Sequence, residues 1–209
     1  MKVIAIPGSD RVYSSNVYLC LGDWNRIEDA NTLIDVGNDP GRVPLIEEWP
    51  SGIGKKRVER VILTHCHSDH TGILPQVRTA FEPEVCAFSP FFAGAARVLK
   101  DGDTLRIADR ECEIIHMPGH SDDSICIHCR EEGILFVGDA PVICQTGSGT
   151  YAQRFVDTLQ ALCRKNIQTI YFGHGAPLVA NAKQQLIASL HRIREGGAHA
   201  ELRMAAHGT

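Results

Sequence analysis

Between residues 65 and 70 the chain reads HCHSDH, three histidines and an aspartate in six positions, one threonine after the aliphatic run VIL. Such side chains are costly to bury without a partner. They are also the ligand types that suit zinc, iron and related ions. Three more residues of this kind stand in a matching setting. His120 follows CEIIHM across Pro118-Gly119, Asp139 follows ILFVG, and His174 follows TIYFG. Four predicted strands therefore each lead into a potential ligand. A glycine immediately precedes His120, Asp139 and His174, which permits tight turns that aim loops from a rigid scaffold at one centre. A catalytic zinc uses three protein ligands and keeps an open position. The seven candidates His65, His67, Asp69, His70, His120, Asp139 and His174 make two such sets if one carboxylate is shared. Two ions about 3.5–4 Å apart would hold one hydroxide between them. His116, His128, His191, His199 and His207 lack this setting and read as hydrogen-bonded surface residues.

The elements that must position these ligands follow from the pattern. KVIAI, NVYLCL and NTLIDVG read as opening strands joined by turns, and GRVPLIEEW as a short helix. RVERVILT is a strand running into the histidine cluster, which itself reads as a loop. GILPQVRTAF is helical despite Pro75. EVCAF is a strand. SPFFAGAARVL opens with Ser89-Pro90, a capping residue and a first-turn proline, and predicts a helix. DTLRI, CEIIHM, SICIHC, ILFVG and IQTIYFG are strands. YAQRFVDTLQALCRKN is an amphipathic helix with Phe155, Leu159 and Leu162 at helical spacing. NAKQQLIASLHRIRE is a last helix expected to end at Gly196-Gly197, with a frayed tail over 198–209. Sheets flanked by helices make the class α+β, as one domain spanning 1–209.

Composition narrows the function. The 209 residues are 44% hydrophobic and 22% charged, enough for a sizeable core. The net charge of −4, without a basic stripe, argues against a nucleic-acid partner. No apolar stretch of about 18 residues exists to span a membrane. The apolar run near the N-terminus is too short for a signal core, which predicts a cytoplasmic protein with reduced thiols. The eight cysteines fall mostly in apolar runs. Cys126 and Cys129 form a C-x-x-C, but within a strand they point to opposite faces, so this pair reads as structural.

The motif HCHSDH, followed in order by PGH at His120, GDA at Asp139 and GHG at His174, resembles the metallo-β-lactamase superfamily. The likeness runs from the opening strands to the last helix. It implies a four-layer αββα sandwich with metals on one rim. It implies that His65, His67 and His120 hold one ion, that Asp69, His70 and His174 hold the other, and that Asp139 bridges. THCHSDHTG, MPGHSDDS and FGHG are similar to the glyoxalase-II-like hydrolases. That branch implies a dinuclear zinc-type centre (iron or manganese being the alternatives) whose bridging hydroxide cleaves an ester, thioester or lactone of a small molecule. Asp69 would orient the nucleophile and relay its proton. The 35 residues after His174 leave room for one helix and a tail, in place of the added helical domain of glyoxalase II. Cations are missing from APVICQTGSGT, and Val142 stands where lactonases carry tyrosine. Persulfide dioxygenases share the pattern with one iron, which keeps an iron-dependent oxidoreductase as the alternative. Nucleases share it too but need a basic groove. Residues 7–16 are expected to flank the metals, and Tyr151 and Arg154 to meet a polar group of the substrate.

Overall fold

The structure is a computed structural model that describes residues 1–9, 11–145 and 151–206, with no side-chain description from 197 onward. Asp10, residues 146–150, His207 and the side chain of His199 lie outside the described residues. Eleven strands are found among those described, in two sheets.

The first sheet takes β1 (Lys2–Ile6), β2 (Val17–Leu21), β3 (Thr32–Ile34), β4 (Arg60–Ile62), β5 (Glu84–Ala87) and β6 (Arg97–Val98), side by side in that order. Its opening hairpin is antiparallel, and β3 to β6 run parallel. The second sheet takes β7 (Thr104–Ile107), β8 (Arg110–His116), β9 (Ile125–Cys129), β10 (Ile134–Gly138) and β11 (Thr169–Phe172). Here only β10 and β11 are parallel. Helices α1 (Arg42–Glu47), α2 (Ser68–Thr71) and α3 (Leu74–Phe81) belong to the first half. Helices α4 (Gln153–Cys163) and α5 (Ala182–Ala206) belong to the second.

Alternation along the strands sorts the side chains into three cores. Tyr18, Ile34, Ile62, Ile114, Ile127 and Phe136 meet between the sheets. Leu19, Leu33 and Val61 point the other way and pack with Ile46 of α1 and Val77 and Phe81 of α3. Leu135 and Val137 leave the opposite face of the second sheet to pack on Phe155, Leu159 and Leu162 of α4 and Leu186 and Leu190 of α5. Burying each of these large side chains stabilises the fold by roughly 1.5–3 kcal/mol. The result is helix, sheet, sheet, helix, the αββα sandwich expected. All eight cysteines are free. Cys126 faces the α4–α5 core and Cys129 the inter-sheet core, so the C-x-x-C does not converge.

Three local expectations are corrected. SPFFAGAARVL is not a helix: it makes two turns and becomes β6. The Ser89 hydroxyl does accept the Phe91 amide, but the amides of Ala96 and Leu99 go to Val85 and Ala87 of β5. An open sheet edge outcompetes a capped helix start. HCHSDH is not all loop, because Ser68–Thr71 forms a helical turn. The last helix passes through Gly196-Gly197 and runs to Ala206. Two glycines cost about 1 kcal/mol each in a helix interior, which does not end a helix by itself.

His116 and His128 stay out of the ligand clusters, yet both are buried rather than on the surface. His116 bonds the Asp122 carbonyl through Nε2. His128 sits on the helix-covered face with neither ring nitrogen hydrogen-bonded. Burial, aided by the Lys165 ammonium, holds its pKa below the ordinary value; Glu113, 3.7 Å away, opposes this. The unfolded chain then takes up the proton first as pH falls below about 6.5. Stability contributed by the neutral ring is complete above that pH and is lost below it. We expect His128→Leu to flatten the acid side of a Tm-against-pH curve between about pH 7 and 5. An unchanged slope would show that His128 is not the group responsible.

Candidate metal centre

The C-terminal ends of β3, β4, β8, β10 and β11 open onto one rim, and the ligand candidates lie there. His65 and His67 are two apart in extended chain and so share a side. The helical turn of α2 then swings Asp69 and His70 away from them. His65, His67 and His120 form one cluster whose ligand atoms lie within 4.8 Å of one another. Asp69, His70, Asp139 and His174 form a second by the same measure. The division matches the one implied by the motif.

Three of the atoms that would face an ion are left without hydrogen bonds. His65 Nε2, His70 Nε2 and Asp139 Oδ1 are buried and unpartnered. His67 Nδ1 and His120 Nε2 face each other at 2.9 Å. Asp139 Oδ1 lies 3.2 Å from His70 Nε2, while its Oδ2 lies 3.7 Å from His120 Nε2 and 3.5 Å from His174 Nε2. One carboxylate therefore reaches both clusters. Native proteins rarely leave buried polar atoms unpaired, and an imidazole–carboxylate set of this size suits divalent zinc or iron. The residues present fit such ions.

Glycine permits the close approach. A side-chain carbon on Gly173 would collide with Asp139 Oδ1 and sit 2.6 Å from His70 Cε1. Gly138 adopts φ +53° and backs onto the Thr64 side chain. The sheets are tied together here by Ile125 N donating to Thr64 O at 2.9 Å, and within the second sheet Gly173 N donates to Gly138 O at 2.7 Å.

Sequence reasoning missed Asp35, which organises the site from beneath. It is 2% exposed, follows β3, and holds φ +57°. Its carboxylate accepts Thr64 N, Thr64 Oγ1 and His70 Nδ1, each at 2.8 Å. An Nδ1–H on His70 leaves Nε2 as a bare lone pair toward Asp139. Thr64 Oγ1, having donated to Asp35, accepts from His65 Nδ1 at 3.2 Å, which frees His65 Nε2 in the same way. One buried carboxylate thus sets the ring tautomers in both clusters. The signal was present in the sequence: Asp35 ends an apolar strand run just as Asp139 does.

Charge follows geometry. Burial, then the neighbouring His70, pushes His65 down to about 4. His120 is also lowered, chiefly by burial. Burial opposes a proton on His70, but Asp35 and Asp139 win and raise it to about 10. Burial works to raise Asp139, but His70, His174 and His65 together hold it below the ordinary carboxylate value. Cys66 points away: burial and Asp123 push its thiol up to about 12.

Of residues 7–16, Tyr13, Ser15 and Asn16 lie against the centre. Ser15 N donates to Asp69 O at 3.0 Å and Asn16 N to Gly173 O at 2.7 Å. Tyr13 stacks on the His174 ring with centroids 4.9 Å apart. On the other flank, Tyr151 donates its hydroxyl to Cys144 Sγ at 3.1 Å and stacks on Phe155. Phe155 in turn lies against Gly119, next to His120. Arg154 is exposed on the first turn of α4. Among the described residues no helix is long and apolar enough to cross a membrane.

Known proteins show the same architecture. A metallo-beta-lactamase family protein of Thermus thermophilus superposes with a TM-score of 0.66 at 19% identity, covering 98% of this chain and 80% of that one. TTHA1623, solved in a di-iron-bound form, superposes at 0.66 with 20% identity, covering 88% of this chain and 98% of that one. At these identities the likeness is one of fold. Among curated relatives, an atrochrysone carboxyl ACP thioesterase of Claviceps purpurea (strain 20.1) is 28% identical over 210 residues. That alignment takes in 90% of this chain and 64% of the relative, so the chain spans less than two thirds of its length. The sequence profile of the metallo-beta-lactamase superfamily matches residues 10–174, ending at the last ligand candidate. By that match, which takes in most of its length, the chain belongs to the metallo-beta-lactamase superfamily.

Proposed function

We propose that the chain is a glyoxalase-II-like hydrolase that uses two divalent ions, zinc foremost, to cleave a thioester, ester or lactone of a small molecule. The observation that carries this reading is the pair of ligand clusters joined through the two oxygens of Asp139. When bound, such ions bring the pKa of water from 15.7 to near 7 and polarise a carbonyl oxygen. His65, His67 and His120 would hold one ion and Asp69, His70 and His174 the other, with Asp139 between them. Asp69 is partly buried, with Oδ2 3.0 Å from His174 Nε2, and serves to orient the attacking water and take its proton. Thioesters lead the substrate classes because the curated relative is named a thioesterase. Lactones rank lower, since Val142 offers no hydroxyl. Arg154, with no ion pair among the described residues, is available to an anionic group on the thiol side of the substrate. Tyr151 has its hydroxyl committed to Cys144, so its contact with substrate would be through the ring.

Chelation should abolish thioesterase activity and zinc add-back should restore it. Elemental analysis should give about two ions per chain. Equal activity before and after chelation would end this reading. Iron together with oxygen uptake on a glutathione persulfide would replace it with the oxidoreductase alternative.

A further inference from the structure

β1 is the outer strand of one sheet and β11 the outer strand of the other. The hairpin of the first sheet meets the end of β11 beside the metal rim, where Asn16 and Tyr18 both donate to the Phe172 carbonyl. In this seam lies a cavity of about 660 Å³ whose walls include Ala5, Pro7, Tyr13, Tyr18, His174 and Pro177. The size suits a small organic ligand. The seam is distinct from the two ligand clusters and touches them only at His174.

The hydrogen-bond inventory fixes what the cavity accepts. Its polar side chains are committed to the wall. Ser9 donates to Asp39, and Asn16 accepts Gly8 N at 2.8 Å while donating to the Phe172 and Gly175 carbonyls. Ser14 donates to Ser15 O and accepts Asn38 N, and the Tyr18 hydroxyl is spent on Phe172. Among the described residues no Lys, Arg, Asp or Glu lines it. A charged group would enter without a counter-charge, and a strongly polar one would find few free partners. Flat apolar faces are what remain, from the Tyr13 and Tyr18 rings and two prolines. Tyr13 is 74% exposed, and among the described residues its ring stacks only on His174. An exposed aromatic ring at a cavity mouth is suited to stacking with a planar ligand.

We propose that this seam cavity binds an uncharged, planar aromatic group and, for turnover, holds the aromatic acyl part of the substrate beside His174. The role in turnover rests on the hydrolase reading above; binding by the cavity does not. The probe for binding is 2-naphthamide, which cannot be cleaved as a thioester, added to metal-free protein and followed by NMR. Shifts are expected at Ala5, Gly175 and Ala176. They should be lost in Ala5→Trp, which fills the cavity from an exposed position on an edge strand where tryptophan is well tolerated. The probe for turnover is the ratio of kcat/KM for a 2-naphthoyl thioester to that for an acetyl thioester of the same small thiol. With zinc-loaded protein, this ratio should fall about tenfold in Ala5→Trp and in Tyr13→Ala. Absence of 2-naphthamide binding, or shifts that persist in Ala5→Trp, would overturn the binding site. Binding with an unchanged ratio in both variants would overturn its role in turnover. If neither thioester is cleaved by the loaded wild type while 2-naphthamide still binds at Ala5, the hydrolase reading fails and the binding site stands.

Discussion

Asp139→Asn should lower kcat/KM for a thioester by about 10³, equivalent to about 4 kcal/mol of transition-state stabilisation, and should cost the protein about one ion per chain. The expectation follows from how one side chain is used twice. Oδ1 faces His70 while Oδ2 faces His120 and His174, so this one carboxylate reaches both clusters. An amide of the same shape keeps the packing but presents one neutral acceptor and one donor. The NH₂ would then point at a cluster whose remaining ligands need a negative neighbour, and two ions would be held close together with one charge fewer between them. Gly173 and Gly138 leave no slack for the loop to retreat, because both press against the site. Near-native secondary structure by circular dichroism, with metal content and activity both reduced, is the expected pattern. Full activity with two ions retained would mean that Asp139 does not bridge.

The candidate cluster was legible in the sequence because the fold places side chains at strand ends. Imidazole and carboxylate immediately after an apolar run have no ordinary reason to recur four times, and His65, His120, Asp139 and His174 each follow that rule. Packing was legible for the same reason that alternation and helical spacing are: Phe155, Leu159 and Leu162 fall on one face of α4 whatever the partner. What escaped depends on contacts far along the chain. Asp35 looked like the polar end of a strand, and only the folded chain shows Thr64 and His70 converging on it from 29 and 35 residues away. SPFFAGAARVL carries a sound local signal for a helix, and the free edge of β5 overrides it. Residues 7–16 were expected beside the site, but nothing local singled out Tyr13, whose pairing with His174 spans most of the chain. The seam between β1 and β11 is likewise a product of sheet order, which no local pattern encodes.

The second large effect is expected at a residue that faces no ion. Asp35→Asn should weaken binding of both ions by about 10–100-fold and lower stability by roughly 3 kcal/mol. The carboxylate accepts three hydrogen bonds in a fully enclosed position, two from Thr64 and one from His70. Asparagine can accept at one oxygen only, so its NH₂ must meet either the Thr64 backbone N–H, donor against donor, or the Thr64 hydroxyl and His70 Nδ1–H together. If His70 loses its acceptor, the ring is free to carry its proton on Nε2, the atom that faces Asp139. If Thr64 turns to satisfy the new amide, its bond to His65 is lost and the first cluster loosens as well. The two routes can be separated. Thr64→Val removes the hydroxyl link to His65 while sparing the bond from His70 to Asp35. It should therefore weaken the His65–His67–His120 ion more than the other. Stepwise metal titration, read beside ¹⁵N shifts that report which ring nitrogen carries the proton, distinguishes these cases. Unaltered tautomers and unaltered affinity for both ions in Asp35→Asn would reduce Asp35 to a residue that merely holds β3 and β4 in register.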